Sequence, residues 1–274
     1  MTAVPAIDLV AKCREVRRRT MEVNRIAPET RLSSSLSAVE ILVALFYGGI
    51  LAHKGAEPLW PGRDRFIASK GHGSIALFPI LADRGYFPPS ELDRVCQEGS
   101  FLGGIPDGII PGYETTNGSL GHGPGVGAGM AVALKARGSE SQVFVLVGDG
   151  ELYEGSVWEA VMFAAARRLD NLTLVVDANQ GAMLDFCRNI IDLEPMLARF
   201  EAFGWHAIEV DGHDVHAVQQ ALQHLSSQRQ GRPKVLVART IKGKGVPSLE
   251  GDPLSHIKAV SSDELDALIR EYSS

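Results

Sequence analysis

Cysteine is scarce in this sequence, and there is no excess of positive charge. The 274 residues include three cysteines, Cys13, Cys96 and Cys187, with no C-x-x-C pair. This argues against a zinc site or a disulfide framework and favours a reducing compartment such as the cytoplasm. The 27 basic and 33 acidic residues give a formal net charge of -6 without a basic run. We therefore expect no nucleic-acid partner.

Long hydrophobic runs are also missing. No apolar run approaches the roughly 18 to 20 residues needed to cross a bilayer, and Asp8 interrupts the apolar start that a signal peptide would need. We therefore expect neither membrane insertion nor export. The 45% hydrophobic and 22% charged residues are typical of a globular protein, and no linker or repeat divides the chain. We expect a single domain over residues 1–274.

From residue 65 onward, short β-rich runs alternate with helical ones. Strands are expected at 66–68, 142–147, 172–176, 207–210 and 235–238. Helices are expected at 74–83, 157–164, 195–203 and 215–225. This alternation predicts an α/β fold, a parallel sheet with helices on both faces. Earlier in the chain, Ser37 and Glu40 form a candidate capping box for a helix through Phe46.

Polar residues and glycines cluster where the predicted strands end. Ligands of such sheets bind at the carboxyl ends of the strands, so the loops at Gly148, at 177–181 and from Thr240 onward should share one rim. Taken alone, Gly148-Asp149-Gly150 is more simply a β-turn with a capping aspartate. Asn179, however, follows the next predicted strand. Two hard oxygen ligands at neighbouring strand ends suit Mg²⁺ or Ca²⁺, with phosphate oxygens completing the shell.

Several further motifs accompany Gly148-Asp149-Gly150 and Asp177-Ala178-Asn179, namely the Gly-His segment at 63–72, the loop at 115–123, Asp211-Gly212-His213-Asp214 and Lys242-Gly243-Lys244-Gly245. Together these motifs resemble the transketolase family of thiamine diphosphate enzymes, in which they occur in the same order. The resemblance runs from about residue 8 to residue 260. It implies the thiamine diphosphate-binding fold and transfer of a two-carbon ketol unit from a ketose, usually phosphorylated, to an aldehyde. The implied cofactors are thiamine diphosphate and Mg²⁺, with Ca²⁺ or Mn²⁺ as substitutes.

The resemblance also implies a role for each matching residue. Asp149, Asn179 and the backbone carbonyl of Gly181 would bind the metal ion. The cofactor would be contacted by His72, Gly118, Ser119, Leu120, Gly148, Gly150 and His256. Of these residues, His72 and His256 would also meet the reacting substrate and act in catalysis. Glu154 and Glu159 match family glutamates near the subunit interface.

The chain departs from the family's pattern at substrate positions. Arg31 and Ile105 stand where the family has histidines that hold donor hydroxyls or assist proton transfer, and His122 replaces a glutamine. Arg31 is compatible with a solvated residue at the start of a helix. It is equally compatible with a catalytic group that grips a carboxylate or a phosphate. The identity of the donor therefore stays open.

The resemblance further implies that part of the active site lies elsewhere. In the family, the glutamate that protonates the pyrimidine ring of the cofactor comes from a separate pyrimidine-binding domain. This chain ends at Ser274, just after the diphosphate domain. We therefore expect this chain to be the N-terminal subunit of a split transketolase. It would be inactive alone, and a C-terminal pyrimidine-binding subunit would complete its active site. An α2β2 heterotetramer is the expected assembly.

Four other functions are alternatives to an ordinary transketolase. A specialised biosynthetic thiamine diphosphate enzyme would deliver the two-carbon unit to a carrier-protein thiol or an unusual sugar, or would use a 2-oxo acid donor. The decarboxylating component of 2-oxo-acid dehydrogenases does not explain the matches at His72, Leu120 and Lys242. An NAD-dependent oxidoreductase is disfavoured because no G-x-G-x-x-G motif follows a first strand. A non-catalytic homologue is disfavoured because Asp149 and Asn179 are both present.

The pair His213 and His216 has metal-ligand spacing, but no third ligand is near in the sequence. We interpret it as a polar loop between a strand and a helix.

Overall fold

The computed structural model of the chain describes residues 7–273. The predicted domain of residues 1–274 extends past this range at residues 1–6 and 274. Helices α1 to α10 are Leu9–Ile26, Leu32–Leu36, Val39–Tyr47, Leu77–Asp83, His122–Ala136, Gly155–Ala166, Cys187–Ile190, Met196–Ala202, Val215–Ser227 and Ser262–Ser273. Strands β1 to β5 are Arg65–Ala68, Val143–Gly148, Leu172–Ala178, His206–Asp211 and Lys234–Arg239. Short 3₁₀ helices cover Gly71–Ala76, Pro89–Arg94 and Asp149–Tyr153.

The strands form one parallel sheet in the order β1-β2-β3-β5-β4. In the register of the three central strands, Gly148 lies beside Asp177 and Asp177 lies beside Ala238. The residues that follow β2, β3 and β5 therefore meet at one edge, as predicted. All five predicted strands are present in this sheet.

Helices cover both faces of the sheet, which confirms the predicted fold class. Alternate residues of β2 belong to different apolar clusters, since Phe144 and Leu146 pack with α1, α3, α4 and α9. Val143 and Val145 pack on the other face with α5, α6 and α8. The central strands are buried on both sides, and this is why they read as unbroken apolar runs in the sequence.

The predicted capping box at Ser37 and Glu40 is wrong. Helix α3 begins at Val39, and its N-cap residue makes no side-chain cap. The Ser37 hydroxyl instead donates to Asp177 Oδ2 at 2.5 Å, across 140 residues of sequence. Glu40 forms an ion pair with Arg17. Tertiary partners therefore take both side chains away from the local motif.

The predicted helix at 74–83 starts differently from the expectation. Residues Gly71–Ala76 form a 3₁₀ helix, and only then does α4 continue to Asp83. A side chain at Gly73 would put a Cβ atom 2.9 Å from the Ser34 carbonyl oxygen, so glycine allows this turn to lie against α2. Within residues 7–273, no helix is long and apolar enough to span a bilayer.

Candidate functional site

The carboxylate of Asp149 lies at the rim of the sheet, directly after β2. Its Oδ1 accepts from the Gly150 amide at 2.8 Å and its Oδ2 accepts from the Gln180 amide at 2.5 Å. The structure thus joins the two strand ends that the sequence predicted to be neighbours. The side chain is 2% exposed, and burial followed by the charge of Asp177 raises the pKa of Asp149 to about 6. A buried carboxylate of this kind favours a nearby cation.

The turn from Asn179 to Gly181 faces this carboxylate. Asn179 Oδ1 accepts from the Gly181 amide at 3.0 Å, and Asn179 Nδ2 donates to Asp177 Oδ2 at 3.2 Å. These partners fix which end of the amide is oxygen. A side chain at Gly181 would place a Cβ atom 2.6 Å from Lys242 Cδ, so a larger residue there would displace the Lys242 side chain. The metal ligands implied by the resemblance are therefore together at one point of the rim.

Lys242 lies against the same turn and has no role among the sequence-based predictions. Its ammonium group donates to the Gly181 and Ala182 carbonyl oxygens, at 2.7 Å each, and the residue is 7% exposed. Burial, followed by the charge of Lys70, lowers the pKa of Lys242 to about 8. The Lys-Gly-Lys-Gly motif after the last central strand could have identified Lys242 as a candidate binding residue, because glycines beside a lysine are common where a backbone approaches an anion.

A buried ion pair between Lys70 and Asp177 lies beneath the rim, and it was not predicted from the sequence either. Lys70 Nζ donates to Asp177 Oδ2 and to the Ser34 carbonyl oxygen, the latter at 2.9 Å. Thr240 Oγ1 donates to the other carboxylate oxygen. Burial alone would raise the pKa of Asp177, but the charge of Lys70 and these hydrogen bonds lower it. The pair therefore ties α2, β3 and the loop after β5 together.

His72 and His256 come together beside this pair. Their ring centroids are 5.0 Å apart, and His256 Nδ1 lies 3.3 Å from Ser34 Oγ. Burial, followed by the charge of Lys70, lowers the pKa of His72 to about 2. Burial, followed by the charges of Lys242 and Arg31, lowers the pKa of His256 to about 4. Both imidazoles are therefore neutral at neutral pH.

Arg31 immediately precedes α2 and is exposed. Its charge acts on His256, and within residues 7–273 its side chain makes no hydrogen bond or ion pair. The guanidinium group is therefore free to meet a ligand.

The loop that carries Gly118, Ser119 and Leu120 crosses the ends of β1 and β2. Asn117 Nδ2 donates to the Ala68 carbonyl oxygen at 3.1 Å. Ile105 borders the loop, since its Cδ1 would lie 3.4 Å from a Cβ atom at Gly118. Gly118 and Ser119 are exposed, so the loop presents its backbone to a ligand.

The carboxylate of Glu151 holds this loop to the end of β2. It accepts from Ser69 Oγ, from the Gly121 amide at 2.9 Å and from the Gly148 amide at 3.3 Å. Glu151 is 1% exposed. One buried side chain thus fixes three backbone segments of the candidate site.

The remaining histidine pair is part of a polar loop, as interpreted from the sequence. His213 Nδ1 bonds Glu40 Oε2 at 3.0 Å, and His216 is exposed at the start of α9. Across the described part of the chain, no group of three or more His, Cys, Asp or Glu side chains could hold a metal ion. The candidate metal position at Asp149 therefore depends on amide and carbonyl oxygens as well.

Comparison with known proteins gives the family. Residues 32–273 match the family Transketolase, thiamine diphosphate binding domain. An apulose-4-phosphate transketolase subunit of Actinobacillus succinogenes is 37% identical over 266 residues, which cover 96% of this chain and 95% of that protein. The 6-deoxy-6-sulfo-D-fructose transketolase subunit SqwG of Clostridium sp. is 36% identical, covering 97% of this chain and 96% of that protein.

Solved transketolases have the same fold. The structure of transketolase from Campylobacter jejuni matches with a TM-score of 0.90 and 28% identity, over 97% of this chain and 43% of that chain. The complex of Pichia stipitis transketolase with sedoheptulose-7-phosphate matches with a TM-score of 0.87 and 26% identity, over 98% of this chain and 41% of that chain. This chain therefore spans less than half the length of these transketolases. Together with the rim of the sheet, these matches establish that the chain belongs to the transketolase family, in which it corresponds to the thiamine diphosphate-binding domain.

Proposed function

We propose that this chain is the N-terminal, diphosphate-binding subunit of a two-chain transketolase. The enzyme would move a two-carbon ketol unit from a ketose donor to an aldehyde acceptor. The observation that carries the proposal is the buried Asp149 carboxylate, held against the turn from Asn179 to Gly181 in a fold of this family. Relatives that this chain covers almost completely are named as transketolase subunits, which supports a division of the enzyme between two chains.

The residues at the rim fit a divalent cation. Asp149 forms no ion pair among the described residues, and burial, followed by the charge of Asp177, raises its pKa, so a cation beside it would stabilise the ionised form. A carbonyl oxygen can accept two hydrogen bonds, and Asn179 Oδ1 and the Gly181 oxygen each accept one here. We infer that these three residues bind Mg²⁺, and that Ca²⁺ or Mn²⁺ can replace it.

The same rim fits the diphosphate of the cofactor. Gly150 leaves room for close approach, because a Cβ atom there would meet nothing nearer than Ala182 Cα at 3.7 Å. Lys242 and the inferred cation would offset the diphosphate charge in a chain whose net charge is -6. Bound thiamine diphosphate supplies an electron sink for cleavage of a carbon–carbon bond. Gly118, Ser119 and Leu120 would hold its pyrimidine ring.

His72 and His256 are suited to bind the hydroxyl groups of the substrate. A neutral imidazole has one nitrogen that donates and one that accepts. Because both rings are neutral and half-buried, each can donate one hydrogen bond to a hydroxyl and accept another. We infer that they bind and orient the donor hydroxyls next to the carbon–carbon bond that breaks.

We infer that the donor is an anionic ketose. Two relatives are named for apulose-4-phosphate and 6-deoxy-6-sulfo-D-fructose, which carry a phosphate and a sulfonate. Arg31 offers a guanidinium group beside His256, and guanidinium groups bind such anions in a bidentate manner. Ile105 is 49% exposed beside the Gly118 loop and adds an apolar wall.

A second chain would complete the site. Exposed aliphatic side chains flank the rim, a surface that a partner chain would cover. They are Met183, Leu184, Ile190, Ile191, Leu254 and Ile257, each between 44% and 60% exposed. We infer that the pyrimidine-binding subunit docks there.

A second apolar surface supports pairing of two such complexes into an α2β2 heterotetramer. Met162 and Phe163 on α6 are 49% and 42% exposed, next to the exposed Glu159. Native mass spectrometry of the purified complex measures the stoichiometry, and a single αβ pair would contradict this assembly.

We infer the cytoplasm as its compartment, because the three cysteines are free thiols.

The test of the proposed function uses this chain purified together with its partner chain. With thiamine diphosphate, Mg²⁺ and an aldehyde acceptor, phosphorylated and sulfonated ketoses should yield a product that is two carbons longer than the acceptor. Mass spectrometry detects this product. Asp149→Ala should abolish both metal-dependent cofactor binding and product formation. If 2-oxo acids give a product and ketoses do not, the donor is a 2-oxo acid instead of a ketose. Wild-type protein that binds no thiamine diphosphate would overturn the proposed function.

A further inference from the structure

The turn Asp211-Gly212-His213 after β4 packs against the loop that follows β5. A Cβ atom at Gly212 would lie 2.4 Å from Thr240 Cγ2, so only glycine allows the two segments to approach this closely. Asp211 Oδ1 accepts from the His213 amide at 2.8 Å and fixes the turn. The motif therefore brings the His213 side chain to the loop that carries Lys242.

Each ring nitrogen of His213 has a partner. Nε2 lies 2.8 Å from the Ile241 amide nitrogen, and Nδ1 lies 3.0 Å from Glu40 Oε2. Because a backbone N–H can only donate, Nε2 is the acceptor, which leaves the ring proton on Nδ1 to be donated to Glu40. The ring therefore connects the loop after β5 to a carboxylate on α3.

Glu40 is itself held by a buried arginine. Arg17 is 4% exposed and donates to Glu40 through one nitrogen of its guanidinium group. The other nitrogen donates to the Leu36 carbonyl oxygen at 2.9 Å and to the Lys244 carbonyl oxygen at 2.5 Å. The same network therefore grips the loop at two places, Ile241 and Lys244.

A third contact completes this hold on the backbone around Lys242. The Gly243 amide donates to the Ser33 carbonyl oxygen at 2.9 Å. Residues 241, 243 and 244 are thus fixed by partners on α1, α2 and the β4 turn, and the side chain of residue 242 is directed to the Gly181 and Ala182 carbonyl oxygens.

We propose that His213 is a positioning residue that holds the Lys242 ammonium group at the site of the diphosphate. The inference rests on the proposed function for the identity of the ligand, but the positioning itself is a property of the free chain. His213 lies on a different strand end from Lys242 and makes no hydrogen bond to the rim residues Asp149, Asn179 or Gly181 in the described chain. Its effect on the ligand would therefore pass through Lys242.

The first experiment measures Lys242 in the full chain without cofactor. Acetylation by a lysine-reactive ester, followed by mass spectrometry, gives its rate of modification, with exposed Lys54 as an internal reference. In His213→Phe, Lys242 should react about ten-fold faster, the order expected when one hydrogen bond that orders a charged group is lost. His216→Phe is the matched control and should leave the rate unchanged. His213→Gln, whose amide oxygen can accept from Ile241, should restore a rate close to that of the wild type.

The second experiment measures binding of thiamine diphosphate in the presence of Mg²⁺ by calorimetry. His213→Phe should raise the Kd about ten-fold, and it should raise it no further in a Lys242→Met background. Additive losses in that double-mutant cycle would overturn the inference, as would an unchanged acetylation rate in His213→Phe. If the Phe variant does not fold, His213→Asn, with a shorter polar side chain, replaces it in both experiments. If the wild type binds no thiamine diphosphate, the proposed function fails, and the acetylation rates alone decide on His213.

Discussion

Replacement of Asp149 by asparagine should stabilise the protein that has no metal bound, although it removes a candidate metal ligand. The pKa of Asp149 is raised from 3.8 to about 6, and each unit corresponds to about 1.4 kcal/mol. The ionised carboxylate therefore costs about 3 kcal/mol of folded stability. Between about pH 4 and pH 6, Asp149 keeps a proton in the folded protein that it has released in the unfolded chain. The contribution of Asp149 to the free energy of unfolding therefore falls as the pH rises.

The asparagine variant has a cost of its own. Its oxygen can still accept from Gly150, but its NH₂ group faces the Gln180 amide, and the lost hydrogen bond costs about 1 kcal/mol at every pH. We therefore expect Asp149→Asn to be more stable than the wild type by about 2 kcal/mol at pH 8. At pH 4 it should be less stable by about 1 kcal/mol.

Urea unfolding of the full chain between pH 4 and pH 8, with chelator present, measures this difference in the free energy of unfolding. Asp93→Asn, on the exposed surface, is the control and should match the wild type throughout. Addition of Mg²⁺ and thiamine diphosphate should stabilise the wild type and leave Asp149→Asn unchanged. A stability difference that does not change with pH would refute the reasoning, because it would mean that the buried carboxylate carries no electrostatic cost.

Three further predictions concern the rim. Lys70→Met should lower the free energy of unfolding by about 3–5 kcal/mol, because it leaves Asp177 buried without a counter-charge; a loss below about 1 kcal/mol in urea unfolding would contradict this. Gly181→Ala should raise the calorimetric Kd for thiamine diphosphate about ten-fold with little change in melting temperature, because the new Cβ atom would meet Lys242; unchanged binding would argue against this turn as the metal site. Arg31→Gln should raise KM for anionic ketoses about ten-fold while kcat stays nearly constant; an equal rise for uncharged ketoses would exclude an anion-binding role.

The sheet and its rim could be predicted because their signals are local. Strands buried on both faces read as continuous apolar runs, and parallel pairing then brings every carboxyl end to one edge. Asp149 and Asn179 could therefore be placed together from the sequence. The family resemblance added the histidines, which no spacing in the sequence brings together.

The parts that could not be predicted depend on contacts between distant segments. Ser37 and Glu40 have the spacing of a capping box, yet Asp177, Arg17 and His213 take their side chains. No local sequence pattern reveals that tertiary partners compete with the capping hydrogen bond. That bond is worth only about 1 kcal/mol, so a buried charged partner displaces it. The Lys70 to Asp177 pair was missed for the same reason, since it joins residues 107 positions apart.

The three bonds of Glu151 have a consequence for the entropy of ligand binding. Because one buried carboxylate connects Ser69, Gly121 and Gly148, the segments on either side of the candidate site cannot move independently. A ligand that meets all of them finds its contacts already ordered, so little conformational freedom is lost on binding. The neighbouring segment with exposed Met183 and Leu184 has no comparable tether from Glu151 among the described contacts. Ordering on cofactor binding should therefore be concentrated in that segment, so that its amide hydrogen exchange slows more than that of the loop at Gly118 when the ligand binds.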